Sequence, residues 1–186
     1  MTTLVGIQGD GWCVLGADSK ASNENGEFIY MRDPKIFANG PTLIAGSGAV
    51  RGLNILEHGW TAPRYRGTPE SYITRLFIPS LRRKLLSAGS EWKKEDETAR
   101  NDNDLLVAVR GRLFKVSSDY SWETSISNLY KAGSGGDYAL GALRVLGAED
   151  AKTPEDAERL IRKAIQAAIE CDSFSGGKID IFTLFA

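Results

Sequence analysis

Apolar runs and the turns that interrupt them divide the chain into a legible series. Leu4 to Ile7 is a short apolar run, Gly9-Asp10-Gly11 reverses it, and a second run goes from Trp12 to Ala17. Two such runs around a glycine turn predict a hairpin. Asn23-Glu24-Asn25-Gly26 is a polar turn. Glu27 to Tyr30 predicts a short strand, Met31-Arg32-Asp33-Pro34 breaks it, and Lys35-Ile36-Phe37 begins another. Asn39-Gly40-Pro41 precedes Thr42 to Ala45, which reads as a buried strand running into Gly46-Ser47-Gly48. From Ala49 to Trp60 the period changes, with Val50, Leu53, Ile55 and Leu56 spaced as one helix face.

Thr68-Pro69-Glu70 places a hydroxyl cap, a first-turn proline and an acid in order, the start of a helix. Its face is Tyr72, Ile73, Leu76, Phe77, Leu81, Leu85 and Leu86, and Pro79 should kink or divide it. The charged stretch from Glu91 to Asp104 is expected to be a surface connection or a frayed helix end. Leu105 to Val109 and Leu113 to Val116 flank Arg110-Gly111-Arg112, a second hairpin. Ser117 to Ile126 reads as a polar strand or loop, and Asn128 to Ala132 leads into Gly133-Ser134-Gly135-Gly136-Asp137. A helix is expected from about Tyr138 to Leu146. Thr153-Pro154-Glu155 opens the last helix, with Ala157, Leu160, Ile161, Ala164, Ile165, Ala168 and Ile169 on one face and Gly176-Gly177 beyond its end. Ile179 to Phe185 is a final strand. Many strand runs are apolar at consecutive positions, which suits sheets covered on both faces. The expected class is α+β: two stacked sheets with helices outside them, four layers in all.

Composition narrows the function classes. The 186 residues show no internal repeat or linker, so one domain over 1–186 is expected. A formal net charge of −1 gives no polyanion signal, so nucleic acid is not an implied partner. No apolar run approaches the ~20 residues of a membrane span. The start of the sequence has no basic n-region and no long apolar h-region, so secretion by a cleaved signal peptide is not expected. Cys13 and Cys171 sit in apolar elements and are expected to be buried free thiols in a reducing, cytoplasmic setting. The single histidine, His58, excludes a multi-histidine metal site and weakens any Ser-His-Asp mechanism. It is expected to be solvated at a helix end.

Several spots carry polar or glycine residues with no evident packing purpose: Thr2, Asp18 with Lys35, Gly46-Ser47-Gly48, Gly133-Ser134-Gly135-Gly136, and Asp172 with Ser175. Each alone has a plain reading. Asp18 and Lys35 suit a structural salt bridge, the glycines tight packing, and Ser134, Asp172 and Ser175 helix-end caps. One chemistry uses them together. A threonine hydroxyl needs a base, and an N-terminal threonine carries one on the same residue, its free α-amine. That amine titrates near ~7.7–8.0, and a neighbouring cation lowers it further. Lys35 can supply the cation, Asp18 can keep Lys35 charged, and Gly48 can offer an N–H to a developing oxyanion.

These segments resemble those of proteasome β-type subunits and the bacterial HslV peptidase, in the N-terminal nucleophile hydrolase superfamily. The resemblance covers nearly the whole chain. It rests on Thr2-Thr3-Leu4-Val5-Gly6, Gly16-Ala17-Asp18-Ser19-Lys20-Ala21, Asp33-Pro34-Lys35-Ile36-Phe37, Ala45-Gly46-Ser47-Gly48-Ala49, Gly133-Ser134-Gly135-Gly136-Asp137-Tyr138-Ala139, and Asp172-Ser173-Phe174-Ser175-Gly176-Gly177, in that order. It implies the αββα sandwich of two antiparallel sheets. It implies a threonine-type endopeptidase, with Thr2 as nucleophile once Met1 is removed and its amine as base. Asp18 and Lys35 become the pair that tunes the amine, Gly48 the oxyanion donor, and Ser134, Asp172 and Ser175 the cluster that holds the amine and its water. Ala21, Asp33, Phe37, Gly46 and Val50 are the implied walls of the substrate side-chain pocket, with small Ala21 and Gly46 leaving room and Asp33 favouring a basic side chain. The implied setting is a homo-oligomeric stack of rings acting on polypeptides, supplied by a separate ATPase unfoldase or ring activator, with no cofactor and no metal. Lys20 stands where the family usually has arginine, and Arg51 where an acid is common. Two other functions fit the fold: a silent ring-forming scaffold, and an amidohydrolase acting on small amides.

Overall fold

The structure is a computed structural model and describes residues 2–23, 25–92 and 98–186. Met1, Glu24 in the first polar turn, and 93–97 in the charged connection lie outside the described residues. The first two apolar runs form the expected hairpin, β1 (Leu4–Gln8) and β2 (Trp12–Asp18), with Leu4 opposite Ala17 and Gln8 opposite Cys13. Its turn closes with the Gly9 N–H on the Trp12 carbonyl at 2.9 Å. Gly11 there takes φ 74°, a region that favours glycine.

A short hairpin follows, β3 (Lys20–Ser22) with β4 (Phe28–Tyr30). The next strands are β5 (Ile36–Asn39), β6 (Thr42–Gly48), β7 (Asn103–Val109), β8 (Arg112–Val116) and β9 (Trp122–Glu123). They form an antiparallel sheet in chain order. The glycines after Ala45 therefore continue the strand instead of ending it. The last strands, β10 (Leu129–Ala132) and β11 (Ile179–Phe185), join the first hairpin in the order β10-β1-β2-β11. All three pairings of that sheet are antiparallel.

Among the described residues, five α-helices flank the sheets: α1 (Val50–His58), α2 (Pro69–Tyr72), α3 (Ile78–Ser87), α4 (Gly136–Val145) and α5 (Pro154–Cys171). Both predicted caps form: Thr68 accepts from the Ser71 N–H at 3.2 Å and Thr153 from the Asp156 N–H at 3.2 Å. The second helical run is not divided at Pro79: Tyr72, Ile73, Phe77 and Ile78 are all right-handed helical, and a π-helical turn over Ile73–Phe77 joins α2 to α3 just ahead of the proline.

Successive strand residues feed different cores. In β6, Leu43 and Ala45 face the other sheet while Ile44 faces α1, α2 and α3; in β7, Leu106 and Ala108 face inward while Leu105, Val107 and Val109 face outward. Period-two alternation between two apolar layers explains the unbroken apolar runs. The middle core joins Leu4, Leu15 and Ala17 to Ile36, Leu106 and Leu113. Outside the first sheet, Val5, Ile7 and Val14 meet Leu143, Ile161 and Ile165 of α4 and α5. Gly16 lets α5 lie close, because a Cβ there would run into the Ile161 side chain. The architecture is the α+β, αββα sandwich expected from the sequence. His58 is exposed at the end of α1. Cys13 is buried, but Cys171, expected inside, is exposed, because the buried face of α5 stops at Ala168.

Candidate active site

The first hairpin carries Asp18 back beside the start of the chain. The Asp18 N–H donates to the Thr3 carbonyl at 3.2 Å, and the Thr3 N–H donates to Asp18 Oδ1 at 2.9 Å. Asp18 Oδ2 accepts from the N–H groups of Gly176 at 2.9 Å and Lys20 at 3.3 Å. Lys35 enters just before β5 and completes the carboxylate's shell, its Nζ donating to Oδ1 at 2.7 Å. The same Nζ donates to the Lys20 carbonyl at 2.5 Å and to Thr2 Oγ1 at 2.9 Å. Three acceptors match the three protons of an ammonium, whereas a neutral amine has two. The pair is buried, with side chains 3% and 0% exposed for Lys35 and Asp18. Burial pulls the Lys35 ammonium below its ordinary range, and the charge and hydrogen bond of Asp18 only partly offset that pull.

A second polar cluster comes from the ends of β10 and α5. Asp172 Oδ2 accepts from Ser175 Oγ at 2.7 Å and from Ser134 Oγ at 2.9 Å, while Oδ1 accepts from the Phe174 N–H at 3.1 Å. Burial raises the Asp172 carboxyl, but these hydrogen bonds outweigh it and hold the group below its ordinary 3.8. Ser134 is therefore not the cap of α4, whose cap residue is Gly135 without a side-chain bond. The two clusters meet at the chain start: Thr3 Oγ1 lies 2.6 Å from Ser175 Oγ, and the Gly135 N–H donates to the Thr2 carbonyl at 3.3 Å. Close approach requires glycine twice. A Cβ on Gly133 (φ 78°) would run into the Thr2 carbonyl, and one on Gly135 into Thr3 Oγ1.

Beside Thr2 lies a cavity of about 70 Å³ that also borders Lys35 and Gly48. Gly48 ends β6 at φ 123°, where a Cβ would strike the Asp102 carbonyl. Ala21, Gly46 and Val50 line this cavity. Phe37 does not: it is turned into the core under α1, α2 and α3. Asp33 is exposed and outside the walls. Nor does Gly46 leave empty room, because Leu53 occupies the space a Cβ would take. The carboxylate in the wall is Glu57. Its signal was present in the sequence, since Val50, Leu53, Asn54 and Glu57 recur at the spacing of one helix face. Thr3 was also missed; in a sequence it reads as an ordinary strand residue. Of the two departures, Lys20 serves locally, its Nζ donating to the Ser173 carbonyl at 2.6 Å. Arg51 points away, to the Ala88 carbonyl at 2.7 Å.

A family model described as proteasome subunit matches residues 117–184. The chain is also 31% identical over 192 residues to the proteasome subunit beta of Nanoarchaeum equitans (strain Kin4-M), covering 99% of this chain and 93% of that protein. The chain belongs to the proteasome subunit family. This proteasome-family chain is 25% identical to the ATP-dependent protease subunit HslV of Hyphomonas neptunium, over 91% of its own length and 92% of that protein's. In fold it resembles Thiobacillus denitrificans BPH in complex with epoxomicin, with a TM-score of 0.77, 22% identity and coverage of 99% and 98% of the two chains. It also resembles eukaryotic HslV from Trypanosoma brucei, with a TM-score of 0.67, 22% identity and full coverage of both chains, 100% each. Among the described residues, no helix is long and apolar enough to cross a membrane.

Proposed function

We propose that this proteasome-family chain is a threonine-type endopeptidase with Thr2 as its nucleophile. The observation that carries the reading is the 2.9 Å contact from the Lys35 ammonium, itself held on Asp18, to Thr2 Oγ1. Cleavage between Met1 and Thr2 frees the amine that acts as base. The amine, through a water, takes the proton of Oγ1, and Oγ1 attacks the scissile carbonyl. The ammonium beside Oγ1 stabilises the forming alkoxide, and the Gly48 N–H receives the oxyanion. The amine's proton then passes to the leaving amine, and water hydrolyses the remaining ester. Ser134, Asp172 and Ser175 hold the amine and its water. Glu57 in the cavity wall gives the site a preference for basic side chains.

The relatives named proteasome subunit beta and ATP-dependent protease subunit HslV support a setting of stacked rings fed by a separate ATPase. The test is Thr2→Ala in the processed protein. The parent, with an intact mass showing Thr2 first, should hydrolyse fluorogenic peptides and take up epoxomicin covalently, one per subunit. Thr2→Ala should do neither while forming the same particle. Hydrolysis by Thr2→Ala at the parent's rate removes this mechanism. A parent that neither hydrolyses peptides nor reacts is the ring-forming scaffold instead.

A further inference from the structure

The hydroxyl next to the nucleophile is not an ordinary core threonine. Thr3 is fully buried, and it touches both halves of the site. Its N–H lies on Asp18 Oδ1, the oxygen that also holds Lys35, and its Oγ1 lies 2.6 Å from Ser175 Oγ.

Proton counting fixes the direction of that last bond. The ionised Asp172 has no proton to give, so both serines on its Oδ2 must donate to it. The Ser175 proton is then committed to Asp172, and Ser175 can meet Thr3 only as acceptor. The chain runs Thr3 Oγ1–H to Ser175 Oγ–H to Asp172. The Thr3 hydroxyl proton is therefore committed to Ser175, at the head of the relay that ends on Asp172. The room for this arrangement exists because residue 135 is glycine, since a Cβ would collide with Thr3 Oγ1 and lie 2.6 Å from Ser175 Oγ and 3.0 Å from Asp172 Oδ2.

We propose that Thr3 is a positioning residue for the Thr2 nucleophile: its hydroxyl orients the Ser175–Asp172 relay and its N–H orients the Asp18–Lys35 pair. The proposal rests on the reading of Thr2 given above. The test compares Thr3→Val, which keeps shape and backbone but removes the hydroxyl, with Thr3→Ser, which restores it. Both are assayed as processed, assembled protein, with reactive sites counted by epoxomicin. Thr3→Val should lose about tenfold in kcat per titrated site with KM unchanged, the pattern of an interaction that matters after binding. Thr3→Ser should return to within about twofold of the parent on the same scale. If Thr3→Val does not fold, Thr3→Ala replaces it with the same expectation. Parent-like kcat per site in the hydroxyl-free variant overturns the proposal, as does a Thr3→Ser as slow as that variant. A parent that neither cleaves peptides nor takes epoxomicin instead overturns the Thr2 reading, and this proposal with it.

Discussion

Lys35→Met strips the ammonium from a buried carboxylate while keeping most of the side chain's bulk. Asp18 would then retain the N–H groups of Thr3, Gly176 and Lys20 but no counter-charge. Removing one partner of a buried ion pair costs ~3–5 kcal/mol. The three remaining donors place the expected loss at the lower end, about 3 kcal/mol. For a chain of this size each kcal/mol lowers Tm by ~2–4 °C, so Tm should fall by roughly 6–12 °C. The assay is thermal unfolding at fixed protomer concentration, since assembly adds stability by mass action. A double variant, Asp18→Asn with Lys35→Met, removes the orphan charge and should be more stable than Lys35→Met alone. Peptide hydrolysis should fall ~10²–10³-fold in Lys35→Met, the scale of losing one preorganised electrostatic donor. Lys35→Arg should not restore it, because a planar fork cannot reach three converging acceptors as an ammonium does. A Lys35→Met variant within about 1 kcal/mol of the parent, or a double variant less stable than it, would refute the reasoning that the buried charge needs its partner.

Asp172 gives a pH signature. Its folded carboxyl sits below the ordinary 3.8, so the ionised form stabilises the fold above the unfolded value, and that contribution is lost as pH falls through the folded one. Urea unfolding of Asp172→Asn should therefore show a deficit at neutral pH that shrinks in acid; a deficit constant down to acid pH contradicts the assignment. Glu57→Gln should cut the preference for peptides ending in Arg over Glu by about fivefold, the ~1 kcal/mol of a partly exposed ion pair. An unchanged ratio of kcat/KM for the two peptides removes Glu57 from specificity.

The layers were legible because local signals agreed. The Gly9-Asp10-Gly11 turn, the caps at Thr68 and Thr153, and the doubly buried β6 and β7 each announce themselves within a few residues. Pairing of residues distant in sequence was not legible from pattern alone. The Asp18–Lys35–Thr2 contacts became expectations only through the order of motifs. The pocket walls failed where direction mattered. Phe37 alternates with Ile36 along β5, so a shift of one position turns it into the core. Whether Thr3 merely pairs with Asp18 or also meets Ser175 depends on the loop after α5, whose path no local pattern fixes.

The contact between Thr3 and Ser175 joins residues 172 positions apart. Between them the chain must lay down both sheets and wrap α5 across β1 and β2, and β11 then pairs along the length of β2. Long-range closures of this kind come late, after the entropy of the intervening chain has been overcome. Asp172, Ser175 and the Gly176 N–H therefore reach the threonines only when the sandwich is nearly complete. During synthesis, a ribosome releases the residues of the Thr2 end long before those that orient it. The geometry delays completion of the candidate site until the sandwich around it exists.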